Sequence, residues 1–224
     1  AMGWNSYGQL GDGTTQNSSS PVQVVDGDVI ALSAGGRHSQ IVKIDGSLWS
    51  VGANDFGQLG DGTTVDSHIP VQATITDVVS FSANNSQSFV LKTDGSLWKT
   101  NKNAANGWEQ LVDANVTAVE SAWGHTVFTM TDGSLWAMGD NRDGQLGAGN
   151  AIQRDTPVEI LPSGVISVTA EEYHSLILMA NGSLWGMGNN RYGELGLSMK
   201  GGSDEIFDAS FDKDVPTEIF PSVA

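Results

Sequence analysis

The 224-residue chain contains no cysteine. That excludes disulfides, thiolate nucleophiles and every Cys-ligated zinc or iron–sulfur centre. Basic side chains are scarce, 10 Lys and Arg against 26 Asp and Glu, for a formal charge of −16. Such a surface repels nucleic acid and anionic membrane, whose phosphates demand clustered cations, so no nucleic-acid partner is expected. No run of eighteen apolar residues occurs, which predicts no membrane insertion. The first residues carry no basic segment followed by an apolar stretch, so no signal peptide is read there. Helical periodicity is absent throughout. There is no G-x-S-x-G elbow, no H-E-x-x-H and no phosphate loop with its lysine. The expectation is a non-enzymatic chain with no catalytic residue, no metal and no cofactor. Paired carboxylates that meet only in space are the catalytic arrangement this reading leaves open.

What the chain has in excess is glycine, 28 residues without a collagen period, and tryptophan, seven residues. Four of the tryptophans close one word: DGSLW at Asp45–Trp49, Asp94–Trp98 and Asp132–Trp136, and NGSLW at Asn181–Trp185. The match extends upstream to 21 ungapped residues, Val29–Trp49, Val78–Trp98, Val116–Trp136 and Val165–Trp185. Downstream a glycine-rich block recurs: GWNSYGQLGDGT (Gly3–Thr14), GANDFGQLGDGT (Gly52–Thr63), GDNRDGQLGAGN (Gly139–Asn150) and GNNRYGELGLSM (Gly188–Met199). Thirteen residues past the first glycine of GQLG stands Pro21, Pro70 or Pro157, whereas the last copy needs 23 residues to reach Pro216. Block starts are 49, 38 and 49 residues apart; after Trp98 the second copy reads KTNKNAANGWEQLVDAN and lacks about eleven residues. A period near 50 with internal alternation predicts an array of small sheets rather than one globular core.

Local chemistry predicts how each unit folds. Asp-Gly between alternating runs predicts a hairpin with a type I′ turn, positive φ at both central residues. VIALSA and its counterparts supply a β-branched strand, and PVQVV or PVEIL a further one with proline at its start, where no ladder N–H is lost. The GxNxxGQLG segment reads as a folded loop with Leu10, Leu59, Leu146 or Leu195 as apolar plug. Asn5, Asn54, Asn141 and Asn190 are read as caps for neighbouring turns. Three or four strands per unit, stacked radially, give each sheet a neighbour to bury against.

Taken with both blocks, SAGGRHSQIVKIDGSLWSVGANDFGQLGDGT resembles the repeat of the regulator-of-chromosome-condensation (RCC1) family, closest to its bacterial-type form. The resemblance covers essentially the whole chain. It implies an all-β fold of propeller blades, here a partial or small propeller of four to five repeat units, approximately 1–49, 50–98, 99–136, 137–185 and 186–224, within a single domain. The family's repeat histidine maps onto His38, His125 and His174, with Gln87 in the second copy. Seven full blades would need about 350 residues. A section of a longer propeller, a small array, or a half completed by a partner chain all fit that count, and the first is preferred.

Candidate sites divide into repeat positions and exceptions. His38, His125 and His174 recur at one place, and equivalent places in successive blades lie too far apart to share one metal, so a hydrogen-bonding structural role is expected. Trp49, Trp98, Trp136 and Trp185 are expected to pack the blades. Trp4, Trp108 and Trp123 occur once each and are candidate partner-binding aromatics. The insertion Gly201–Asp214 carries Asp204, Glu205 and Asp208, a candidate binding loop whose spacing is not that of an EF-hand.

The reading is a scaffold that presents loops to a protein partner of unknown identity, with self-association through open blade edges as a second mode. A section of a larger secreted or surface protein is expected, hence an extracellular or cell-surface location. The rival is a carbohydrate- or small-ligand-binding module using the same tryptophans. The resemblance also brings nucleotide exchange on a small GTPase and chromatin binding; no residue supports carrying either over.

Overall fold

The computed structural model describes residues 1–197 and 212–221. The described strands number sixteen, in four antiparallel four-stranded sheets, each a simple meander. The chain divides into two compact units, residues 1–116 and 117–224. In the first unit one sheet holds β1 (Val29–Ala34), β2 (His38–Lys43), β3 (Leu48–Gly52) and β4 (Ser67–Gln72). Its second sheet holds β5 (Val78–Ala83), β6 (Ser88–Lys92), β7 (Leu97–Thr100) and β8 (Trp108–Val112). The second unit has β9 (Val116–Ala122), β10 (His125–Met130), β11 (Leu135–Gly139) and β12 (Arg154–Leu161), then β13 (Val165–Ala170), β14 (His174–Met179), β15 (Leu184–Gly188) and β16 (Lys213–Phe220). The fold is all-β and built of propeller-type blades.

Each 21-residue block makes the first two strands and the start of the third. The turn at its centre differs from the type I′ expectation. Only the glycine has positive φ, +77° at Gly46, +80° at Gly95, +78° at Gly133 and +83° at Gly182. The Gly46 N–H donates to the Lys43 carbonyl and the Lys43 N–H to the Ser47 carbonyl. This is the three-residue loop in which glycine takes the left-handed position after the turn. The aspartate acts through its side chain instead. Asp45 Oδ1 accepts from the Ser47 amide at 2.9 Å and from its hydroxyl at 2.6 Å. Ser47 Oγ in turn accepts from the Trp49 indole at 2.9 Å. The Ser-to-Trp link recurs at Trp98, Trp136 and Trp185. DGSLW is therefore a relay that fixes a half-buried indole, while Leu48, Leu97 and Leu135 are fully buried.

Proline is also placed differently from expectation. Pro70, Pro157 and Pro216 lie inside β4, β12 and β16. These are outer-edge strands, where a missing N–H on the free side breaks no ladder.

In the glycine-rich loop the asparagine is a hub. Asn54 Oδ1 accepts from the Leu59 amide at 3.0 Å, while Nδ2 donates to the Thr63 and Val65 carbonyls at 3.2 and 3.1 Å. Asn5, Asn141 and Asn190 hold Leu10, Leu146 and Leu195 in the same way. All four leucines are buried.

Trp108 corrects its assignment as a recognition aromatic. It is 3% exposed, belongs to the core of Val42, Leu48, Ala73, Ile75, Val78 and Val90, and donates its indole N–H to the Gly60 carbonyl at 2.9 Å. The loop it packs on keeps its own buried leucine, Leu59, so the indole adds to that core and does not stand in for the leucine that the shortened second copy lacks. A β-carbon on Gly60 would lie 2.2 Å from Trp108 Cζ2, on a backbone with φ +65°. Gly60→Ala is expected to destabilise the chain by about 3 kcal/mol. Gly62→Ala, where φ is +82° and the nearest atom would be 4.0 Å away, is expected to cost only about 1 kcal/mol. Urea denaturation of the pair separates the clash from the backbone strain.

In the second unit the core joins Val127, Leu135, Ala137 and Leu146 to Val165, Val168, Ile177 and Met187. Sheet faces within each unit thus bury against one another, leaving the strand-joining loops for contact with other molecules.

Candidate functional site

In each of three sheets the loop from first to second strand lies beside the glycine-rich loop that follows the third strand. Backbone bonds tie them: the Ala53 amide donates to the Arg37 carbonyl, Asp140 to Gly124, and Asn189 to Tyr173. Residues of these two loops form the candidate surface.

In the second unit this end carries Trp123. It is 51% exposed and its φ is +27°, a left-handed conformation that bulky residues rarely hold. The corresponding residues of the other copies are Gly36, Asn85 and Glu172. Its ring meets Tyr173 at 6.3 Å, tilted by 46°. Charged groups surround the pair. Arg142 binds Asp140 through Nε at 2.9 Å and Nη2 at 2.7 Å. That guanidinium holds the Asp140 carboxyl below its usual range. Arg191 Nη2 bridges Asp143 at 3.1 Å and Asp212 at 3.2 Å. Glu172 and Glu171 are exposed, and burial followed by the Glu171 charge pushes the Glu120 carboxyl up.

In the first unit Trp4 is also 51% exposed and meets Tyr7 edge-on at 5.4 Å, while the Arg37 guanidinium sits 5.2 Å from the Tyr7 ring centre. Phe56, at the repeat position of Tyr7, takes the Lys102 ammonium at 5.5 Å. Sequence reading missed this position, although Tyr7, Phe56 and Tyr192 align as an aromatic of the glycine-rich loop that reaches the surface.

The histidines sit elsewhere. His38 and His125 are fully buried. His38 Nε2 lies 2.9 Å from Ser88 Oγ, whose own proton goes to the Gln58 carbonyl at 2.7 Å. His125, Ser175 and Gln145 repeat this arrangement at 2.9 and 3.2 Å. Because the serine proton is spent on a carbonyl, Nε2 must carry the histidine proton and donate. Nδ1 is then unprotonated, and in both rings it is buried with no partner. Burial lowers both pKa values to about 4. Each is a neutral tie between neighbouring sheets. Gln87 and His174 are half-buried.

Among the described residues no group of three or more His, Cys, Asp or Glu is placed to hold a metal ion. Asp204, Glu205 and Asp208 lie outside the described residues.

Comparison with known proteins bears on this architecture. The profile described as "Regulator of chromosome condensation (RCC1) repeat" matches residues 1–42, 45–91 and 132–178. A second profile with the same description matches 29–58, 116–145 and 165–194. No curated protein matches the chain in sequence. Among solved structures, yeast RCC1 (Prp20) bound to Kap60 aligns with a TM-score of 0.82 and 20% identity, over 97% of this chain and 56% of that one. Prp20p of Saccharomyces cerevisiae, described with its binding to Gsp1p and histones, aligns at 0.82 and 18%, over 97% and 57%. Human WBSCR16 aligns at 0.78 and 20%, over 98% and 62%. The chain thus spans little more than half the length of these relatives.

These relatives are yeast and human proteins, and they correct two expectations. Their partners are specific proteins, Kap60 for one and Gsp1p and histones for another, in place of an unknown partner or self-association through open edges. Histones are met inside the cell, against an extracellular or cell-surface location. With repeat profiles matching more than half of its length, and blades that superimpose on solved members, this chain belongs to the regulator of chromosome condensation (RCC1) repeat family.

Proposed function

We propose that this chain is a non-enzymatic interaction scaffold whose Trp123–Tyr173 surface receives a basic protein partner. The observation that carries the reading is Trp123 itself, half-exposed at φ +27°. Holding an aromatic residue there costs about 1–3 kcal/mol, a strain that the repeat does not require, since Gly36, Asn85 and Glu172 hold the corresponding position without a positive φ. Exposed Trp and Tyr are the side chains that anchor protein interfaces. The acids beside them and the net charge of −16 favour a cationic partner. Histones, described as bound by the yeast relative, supply that chemistry.

The test is titration of the full chain with purified core histones at physiological and raised salt. Trp123→Ala is expected to weaken binding at least tenfold, since central aromatic anchors exceed about 2 kcal/mol. The same change should leave binding of polylysine, a charge-only probe, within twofold. Equal histone affinity for wild type and Trp123→Ala overturns the reading.

A further inference from the structure

The second sheet departs from the other three where its glycine-rich loop is cut short. Its third strand, β7, carries Lys99 at the repeat position of Ser50, Ala137 and Gly186, all of them buried. In the second unit that position is covered by the loop leucine. A β-carbon added to Gly186 would lie 2.9 Å from Leu195 Cδ2, and Ala137 shares a core with Leu146. After Lys99 the second copy supplies no such leucine. An ammonium on a face that its counterparts give to small residues costs the fold stability unless something pairs with it.

The space beside it is a polar hollow of about 410 Å³, with Phe56, Gln87, Lys99, Asn101, Lys102 and Glu109 among its walls, all from the first unit. That volume falls in the range of small-molecule sites. The Lys99 side chain is 16% exposed, and its Nζ lies 3.7 Å from Glu109 Oε2, attracted but beyond hydrogen-bonding distance. That oxygen is already engaged, accepting from Asn101 Nδ2 at 2.9 Å. Lys102 stands at the rim, its Nζ 5.5 Å from the centre of the Phe56 ring. Its backbone packs on the neighbouring loop so closely that a β-carbon on Gly57 would lie 3.1 Å from Lys102 Cα. Two ammoniums thus line the hollow with one carboxylate, in a chain whose acids outnumber its bases 26 to 10.

We propose that this hollow binds a small hydroxylated anion, a sugar phosphate or a sugar acid, with its oxyanion between Lys99 and Lys102. The local excess of positive charge selects an anion against the field of the rest of the chain. The side-chain amides of Gln87, Asn101 and Asn103 at its wall offer both donors and acceptors to hydroxyl groups. The site shares no residue with the Trp123–Tyr173 surface.

The experiment is calorimetric titration of the full chain at low ionic strength with glucose-6-phosphate, glucuronate, glucose and inorganic phosphate. Saturable binding of at least one sugar anion is expected, about tenfold tighter than that of glucose or inorganic phosphate. Which of the two binds tells a phosphate site from a carboxylate site. Lys99→Ser, which installs the residue of the first copy, should weaken binding about fivefold, and so should Lys102→Ser. Lys102 is exposed on the link between β7 and β8, so its variant tests the site even where Lys99→Ser lowers stability. No binding of either sugar anion, equal affinity for glucose, equal affinity for inorganic phosphate, or unchanged affinity in Lys102→Ser would each overturn the assignment.

Discussion

Acidification from pH 6.5 to pH 4 is expected to remove about 3 kcal/mol of stability for each of His38 and His125. Both rings are buried, and burial depresses their pKa from 6.5 to about 4. In the unfolded chain they take up a proton near 6.5, in the folded chain only near 4. Stability is therefore full above the unfolded value and is lost as pH falls through this interval. The geometry says why the folded state refuses the proton. Nε2–H is already donated to serine, so a new proton must enter at Nδ1, which has no acceptor. At His38 that atom is pressed against Gly35, where even a β-carbon would lie within 2.9 Å.

Carboxylates do not account for this window. Asp45, Asp94 and Asp132 are held below the usual carboxylate range, chiefly by the hydroxyls of Ser47, Ser96 and Ser134, so their contribution is lost at lower pH. The measurement is urea denaturation at pH 7.5 and 4.5. His38→Gln and His125→Gln should each remove about half of the difference, and the double variant most of it. Glutamine is the substitution to use because Gln87 fills this position in the second copy. An unchanged difference in the double variant would place the acid sensitivity elsewhere.

Asn54→Asp is expected to cost about 3–5 kcal/mol although it changes no volume. The amide Nδ2 donates to the Thr63 and Val65 carbonyls and to Asp61 Oδ1 at 3.2 Å. A carboxylate oxygen there would face two carbonyl dipoles and another carboxylate, in a position with no solvent exposure. The remaining oxygen would still accept from Leu59, so the loss comes from the donor side alone. Urea denaturation gives the magnitude, and amide exchange at Leu59 gives the place: its protection should fall before that of β6. A cost below 1 kcal/mol would mean that the loop can close without this hub.

Much of the fold was legible because the repeat is written in positions that local chemistry constrains. DGSLW specifies a turn, a hydrogen-bond relay and an indole within five residues. Its details were less legible. Asp-Gly is compatible with several turns, and the choice of the left-handed glycine form followed from strand register, which pairs Ile41 with Trp49. Proline inside β4 rather than at its start likewise depended on β4 being an edge. The candidate surface was legible in part. Trp123 stood out by occurring once in the repeat, but nothing in its letter announced a positive φ or Tyr173 as neighbour. Trp108 misled for the same reason: a residue unique in the repeat is as well suited to filling a core as to meeting a partner.

Spacing, turn chemistry and alternation along single stretches of chain were enough to establish the repeats, the strands, the all-β class and the family. Two other matters waited for the folded chain: which unique tryptophan is buried, and which histidine atom carries the proton. Those depend on atoms about 50 residues apart in sequence, such as His38 with Ser88 and Trp108 with Gly60. Burial and hydrogen-bond partnership are properties of such pairs, and no local pattern encodes them.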